Sequence, residues 1–245
     1  MEHILNHEKA HQKYFEEMTA IPHGSYHEQA YSAYLVAFAK EHGLKWIQDE
    51  LYNVIIYKDA SAGYEDHAPV LLQAHTDMVC EKNKDTDFDF EKDALKLYIE
   101  DGFLKARGTT LGADDGVGVA YMLALLSDPD AKHPPLECVF TVQEEVGLFG
   151  AMALKKEYFQ AKRMINLDDG GENATCTTSA GGVNVIMQKE RILVPHDGNG
   201  YQIDVFGLHG GHSGGEIDKE HGNANKLLAR VLFTLNRRYG VQLSW

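Results

Sequence analysis

The chain predicts an α/β layer fold, and three observations predict it. Residues 69–74 (PVLLQA), 136–142 (LECVFTV) and 163–167 (RMINL) are short apolar runs that read as buried strands. Stretches of helical period lie before and between them. Each run also leads straight into acidic or His residues: His75-Thr76-Asp77, Glu144-Glu145 and Asp168-Asp169. In open α/β sheets, ligands and chemistry collect beyond the carboxyl ends of the strands. Three strands ending this way can build one site.

The elements follow in order. Residues 10–20 read as a helix stopped by Pro22. Residues 27–42 form a stronger one, with Ala30, Tyr34, Leu35 and Phe38 on one face and Gly43 as its stop. The 46–57 segment contains a strand at 54–57, followed by a polar loop at 58–68. After the 69–74 strand, residues 97–105 read as a hairpin around Asp101-Gly102. Residues 116–126 form an apolar helix that Asp128-Pro129 ends. Residues 147–159 are predicted to be helical. Composition shifts near residues 179–182, and a domain boundary is placed at about 182. Beyond it, residues 201–205 alternate as a half-exposed strand. Residues 223–239 form a helix with Leu227, Leu228, Val231, Leu232 and Leu235 on its inner face.

Bulk composition excludes several classes. The 245 residues are 44% apolar and 24% charged, as in soluble globular proteins. The balance of 23 basic against 37 acidic residues gives −14, which argues against a general nucleic-acid or anionic-membrane surface. No apolar stretch approaches the ~18 residues that span a bilayer. Residues 1–13 are polar and charged, so no secretory signal is expected. Cys80, Cys138 and Cys176 include no CxxC pair, which fits free thiols in a cytoplasmic protein.

The clusters carry the chemistry. His75 and Asp77 share one face of an extended segment. Alone, such a pair is most simply structural. Adjacent Glu144-Glu145 suits a helix start, where carboxylates favour the dipole. That reading does not explain why the pair closes a run as apolar as Cys138-Val139-Phe140. Asp114-Asp115 allows the same helix-start reading, and Gly116 and Gly118 permit close backbone approach. Asp168-Asp169 with two following glycines also reads as a turn. Together, one His and several carboxylates form a ligand set for Zn²⁺, Mn²⁺ or Co²⁺. The surplus of carboxylates points to two ions sharing an Asp and activating a water, with one free carboxylate to move its proton.

Five stretches carry a resemblance. They are residues 21–28 (IPHGSYHE), 72–79 (LQAHTDMV), 105–114 (KARGTTLGAD), 144–147 (EEVG) and 210–217 (GGHSGGEI). In this order they resemble the metallopeptidase family of di-zinc aminopeptidases, carboxypeptidases, deacylases and dipeptidases, and most closely its aminoacyl-histidine (Xaa-His) dipeptidase branch. The resemblance implies a mixed-sheet α/β zinc-peptidase catalytic domain, incomplete, over residues 1–181. The first part of an α+β lid or dimerisation domain follows over 182–245. It implies metal-dependent hydrolysis of Xaa-His and other dipeptides, small peptides as partners, and a homodimer in full-length members. Two Zn²⁺ per site are implied, with Co²⁺ or Mn²⁺ as alternatives. Residue by residue, His75 and Asp168 bind one zinc, Asp114 bridges both ions, and Glu145 binds the second. Asp77 is the acid behind His75, and Glu144 is the general base. His212 reaches the site from the lid to stabilise the oxyanion; without the resemblance it reads as a loop His in a Gly-rich turn.

The resemblance also implies more chain than residues 1–245 provide. Members return from the lid to finish the catalytic domain and to supply a last His for the second zinc, and no such segment is found here. An exposed sheet edge, self-association and weak or absent turnover are expected of these 245 residues. Two other readings stay open. One is a tripeptidase, carboxypeptidase or N-acyl amino-acid deacylase with the same metal core. The other is a non-catalytic metal-binding protein that pairs through the 223–239 helix.

Overall fold

The computed structural model describes residues 3–242 apart from 171–172, 180, 182, 184, 191–194, 196–197 and 212–215. The chain divides into two compact units, Met1–Ala180 and Gly181–Trp245. The first contains α1 (Ala10–Thr19), α2 (Gln29–Glu41), β1 (Lys45–Gln48), β2 (Val54–Lys58), β3 (Val70–His75), β4 (Leu97–Glu100), β5 (Phe103–Ala106), α3 (Ala113–Ser127), β6 (Leu136–Thr141), α4 (Phe149–Ala153) and β7 (Met164–Asn166). The second contains α5 (Ala224–Tyr239).

A mixed five-stranded sheet in the order β1–β2–β6–β3–β7 organises the first unit. β3 runs parallel to both β6 and β7, while β2 is antiparallel to β6 and β1 to β2. The carboxyl ends of β3, β6 and β7 therefore share one edge. Every residue of β6 is buried, as expected of a central strand covered on both faces. On one face Val54, Ile56, Ala74, Leu136, Cys138 and Phe140 pack with Phe15 and Met18 of α1, Tyr31 and Leu35 of α2, and Val119, Met122 and Leu123 of α3. Each large apolar side chain buried this way contributes about 1.5–3 kcal/mol. β4 and β5 pair as a separate hairpin.

The other face is covered by residues 149–161, and here the structure corrects the expected helix at 147–159. α4 has five residues, Leu154 and Lys155 are extended, and a 3₁₀ turn follows at Lys156–Tyr158. Helix propensity in this stretch is overridden by ties to the sheet. Tyr57 Oη donates to Tyr158 O at 2.9 Å. The buried Glu137 carboxylate accepts Gln160 N–H at 2.8 Å and Ala161 N–H at 3.2 Å.

β1 is an addition to the sequence reading. Its link to β2 is closed by Asp49, whose Oδ1 accepts the N–H groups of Leu51 and Asn53 at 3.0 Å, with Tyr52 at φ +74°. A turn held by a side chain lacks the glycine or proline signal that marks most hairpins.

In the second unit, Asn223 caps α5 by accepting Lys226 N–H, and left-handed Gly240 ends it. The strand expected at 201–205 is not formed: these residues take no regular structure. Alternation marks a face, but a strand also needs a ladder partner, and none is present among the described residues of this unit. Among the described residues, no helix is long and apolar enough to cross a membrane.

Candidate metal centre

β3 ends in His75 because its neighbour β6 carries the chain into a turn: the Thr76 N–H and Oγ1 both donate to Thr141 O, at 2.8 and 2.9 Å. His75 is 1% exposed. Its Nδ1 donates to Asp77 O at 2.9 Å, which turns Nε2 towards the carboxylates. Nε2 lies 3.0 Å from Asp114 Oδ1, 3.9 Å from Asp168 Oδ2 and 4.0 Å from Glu144 Oε2.

Each carboxylate arrives by its own route. Asp114 precedes the regular turns of α3, where residues 114 and 115 are non-helical and their shared peptide is cis. Gly112, at φ +71°, takes the left-handed conformation that aims this segment. Asp115 turns inward instead, its Oδ1 accepting Gly118 N–H at 3.1 Å. Glu144 and Glu145 follow β6. Asp168 follows β7, whose pairing to β3 continues through Leu167 N–H to Gln73 O at 2.9 Å. Donor atoms of His75, Asp114 and Glu145 lie within 4.8 Å of one another, as do those of His75, Glu144 and Asp168.

Asp77 is buried behind His75. Its Oδ1 accepts Glu144 N–H at 2.9 Å, and its Oδ2 accepts Glu145 N–H at 3.1 Å and Ser25 Oγ–H at 2.7 Å. Burial pushes its pKa up, but the His75 contact and these hydrogen bonds outweigh burial and hold it below the ordinary value. Burial would lower His75, yet hydrogen bonds to Asp114 and Asp77, with the Asp77 and Asp168 charges, carry it from 6.5 up to about 11. Glu144 and Glu145 are both raised, by burial first and then by neighbouring carboxylates, against the pull of His75.

This charge balance tests whether a divalent ion fits. Among the described residues five carboxylates, those of Asp77, Asp114, Glu144, Glu145 and Asp168, surround the His75 imidazole, a concentration of negative charge that a divalent ion would offset. Oxygen and imidazole nitrogen donors suit Zn²⁺, Co²⁺ and Mn²⁺, so the residues fit such an ion.

The structure thus brings together His75, Asp77, Asp114, Glu144, Glu145 and Asp168. His212 lies outside the described residues. Sequence reasoning gave no role to Ser25 or Glu28, although both sit in the 21–28 stretch. It also passed over Asn53, a buried amide that accepts Val142 N–H at 3.0 Å and donates to Gly150 O at 2.9 Å. Elsewhere His3 and His7 face Glu16, but the Glu16 oxygens already accept the N–H groups of Ile4 and Leu5 and so clasp the N-terminal segment.

One imidazole and several carboxylates at the edge of an α/β sheet define a candidate metallohydrolase centre. The model of peptidase family M20/M25/M40 matches residues 71–223, and the chain belongs to that family. Over 220 residues it is 46% identical to the cytosol non-specific dipeptidase of Escherichia coli (strain K12), covering 89% of this chain and 45% of that protein. The crystal structure of aminoacylhistidine dipeptidase from Vibrio alginolyticus is similar at TM-score 0.66 and 34% identity, over 96% of this chain and 48% of that one. An aminopeptidase PepT structure from Bacillus cereus is similar at TM-score 0.56 and 26% identity, over 69% of this chain and 45% of that one. The chain spans about half the length of these relatives. Family membership implies a divalent metal ion.

Proposed function

We propose that these residues form the metal centre and proton-transfer group of a dipeptidase acting on Xaa-His and other dipeptides, in a cytoplasmic enzyme that works as a homodimer. In this reading residues 1–181 are the catalytic domain and 182–245 begin a lid. The observation that carries it is the convergence of His75 with Asp114, Glu144, Glu145 and Asp168 at one sheet edge. Likeness to a dipeptidase from Escherichia coli supports the substrate class.

His75, Asp114, Glu145 and Asp168 would hold two divalent ions, zinc first, with Asp114 as the ligand they would share. When bound, such ions supply Lewis-acid polarisation of the peptide carbonyl and lower the pKa of water to about 7. Glu144 stays free of metal, and its carboxylate takes a proton from the attacking water and returns it to the leaving amine nitrogen. The main-chain O of Asp77 fixes the imidazole with Nε2 turned inward, and its ionised carboxylate lies behind the ring and holds the Glu144 and Glu145 amides. His212 is the proposed hydrogen-bond donor to the oxyanion. Among the described residues one imidazole serves this donor set, turnover is expected to be weak, and metal binding is the first measurement.

Metal content after equilibration with Zn²⁺ tests the centre. His75→Ala and Asp114→Ala should each lower the bound metal, whereas Glu144→Ala should keep it. Any hydrolysis of a His-containing dipeptide should fall by about 10²–10⁴-fold in Glu144→Ala and should exceed that of a tripeptide or an N-acyl amino acid. Wild-type stoichiometry in both His75→Ala and Asp114→Ala would refute the reading.

A further inference from the structure

Residues 21–28 contribute no donor to the cluster, yet two of their side chains reach the turns that do. Ser25 Oγ donates to Asp77 Oδ2 at 2.7 Å. Glu28, 2% exposed, accepts Gln143 N–H on Oε1 at 2.9 Å. Asp77 accepts the next two amides, those of Glu144 and Glu145. Three successive backbone N–H groups are therefore held by two buried carboxylates. The segment is also tied to the exit of β3: Met78 N–H donates to His23 O at 3.1 Å, and Gly24 bridges to Met78.

This turn needs such support. Gln143 has φ +54°, a region that non-glycine residues avoid. Glu144 and Glu145 point at other carboxylates, which repel them in the absence of a cation. An amide in a partly buried turn is destabilising without an acceptor, so Glu28 and Asp77 also keep the amides of the turn satisfied.

We propose that Ser25 and Glu28 are positioning residues for the metal centre, fixing Asp77 and the Gln143–Glu144–Glu145 turn so that both Glu carboxylates meet His75. The proposal rests on the reading of the centre given above. Ser25 acts through Asp77 and Glu28 through the Gln143 amide; neither is a donor to the ion. Without them the turn must be ordered when metal enters, and affinity falls. Loss of such outer hydrogen bonds commonly weakens a metal site about 10–100-fold.

Co²⁺ titration of the full chain tests this, with affinity read by competition against a chromophoric chelator and geometry by the Co²⁺ absorption bands. Ser25→Ala should weaken binding several-fold, and Glu28→Ala about 10–100-fold, with altered bands. Glu28→Gln keeps an oxygen for the Gln143 amide and should bind within about threefold of wild type. That rescue separates positioning by hydrogen bond from a general loss of fold. Thermal melts of the metal-free variants identify any that fail to fold; if Glu28→Ala does, Ser25→Ala decides, since it removes only one hydroxyl. Wild-type affinity and bands in the folded Ala variants, with binding lost in His75→Ala, would overturn the proposal. So would a Glu28→Gln defect as large as that of Glu28→Ala. Unchanged binding in His75→Ala would overturn the centre itself, and this proposal with it.

Discussion

At Gly150 the chain passes so close to the sheet that one methyl group would collide with it. An added Cβ would lie 2.2 Å from Val142 O and 2.6 Å from Asn53 Oδ1, and the first of these is backbone. Gly150→Ala should cost about 3 kcal/mol through overpacking. A melt should show the midpoint falling by roughly 6–12 °C. His75 gives a pH signature. Its folded pKa of about 11 exceeds the ordinary 6.5. In the metal-free protein its stabilising contribution is complete below pH 6.5, declines above it and is gone beyond about 11. Melts in chelator should therefore show the midpoint falling from pH 7 to pH 10, and falling less in His75→Ala. His75, Asp77, Glu144, Glu145 and Asp168 were legible because they follow apolar runs, whereas Asp114 opens a helix and was picked out by the acidic pair and the resemblance. Ser25 and Glu28 were not, since their bonds reach 52 and 115 residues along the chain and leave no local pattern.

Helices and strands were legible where local pattern and tertiary demand agreed. The unbroken run of β6 survives folding because neighbours bury it; on α2 Leu35 and Phe38 are buried as expected, but Ala30 is exposed and the buried face turns to include Tyr31, Val36 and Ala39. The 147–159 stretch failed because one buried carboxylate outweighs its helix propensity. Glu137→Ala would remove the acceptor of the part-buried Gln160 and Ala161 amides and should cost about 1 kcal/mol. Hydrogen exchange at those two amides should quicken, while exchange in the middle of β6 changes far less. Equal acceleration in both places would mean that Glu137 supports the sheet as a unit and not the covering segment. The 201–205 alternation failed for the opposite reason: the pattern was present, but no ladder partner was among the described residues of that unit.

Strand order lay beyond sequence reasoning, because alternation and apolar runs do not say which strand pairs with which. Placing β3 between β6 and β7 is what brings the three acidic exits together. The two units also differ in how they hold together. The first has a continuous core, whereas no described residue beyond 180 is buried. Val183, Ile186, Met187, Tyr201 and Phe206 are each more than 80% exposed. Exposed apolar surface of this kind drives association, and β7, at the sheet edge with Met164 and Ile165 exposed, adds a side that pairs with no described strand. Sedimentation should show mass rising with protein concentration. Mild proteolysis should leave a resistant fragment ending near residue 180; a single sharp monomer boundary at all concentrations would contradict the first expectation.

The β4–β5 hairpin leaves the path between His75 and Asp114 and returns to it at a cinched neck. Thr110 N–H donates to Glu81 O at 2.9 Å, and Lys82 bridges to Thr109. At its tip Gly102 has open space around it. A fluorophore or surface-capture tag grafted between Asp101 and Gly102 would therefore be borne by the hairpin alone, so the protein can be tethered and washed through metal after metal with its donor residues undisturbed.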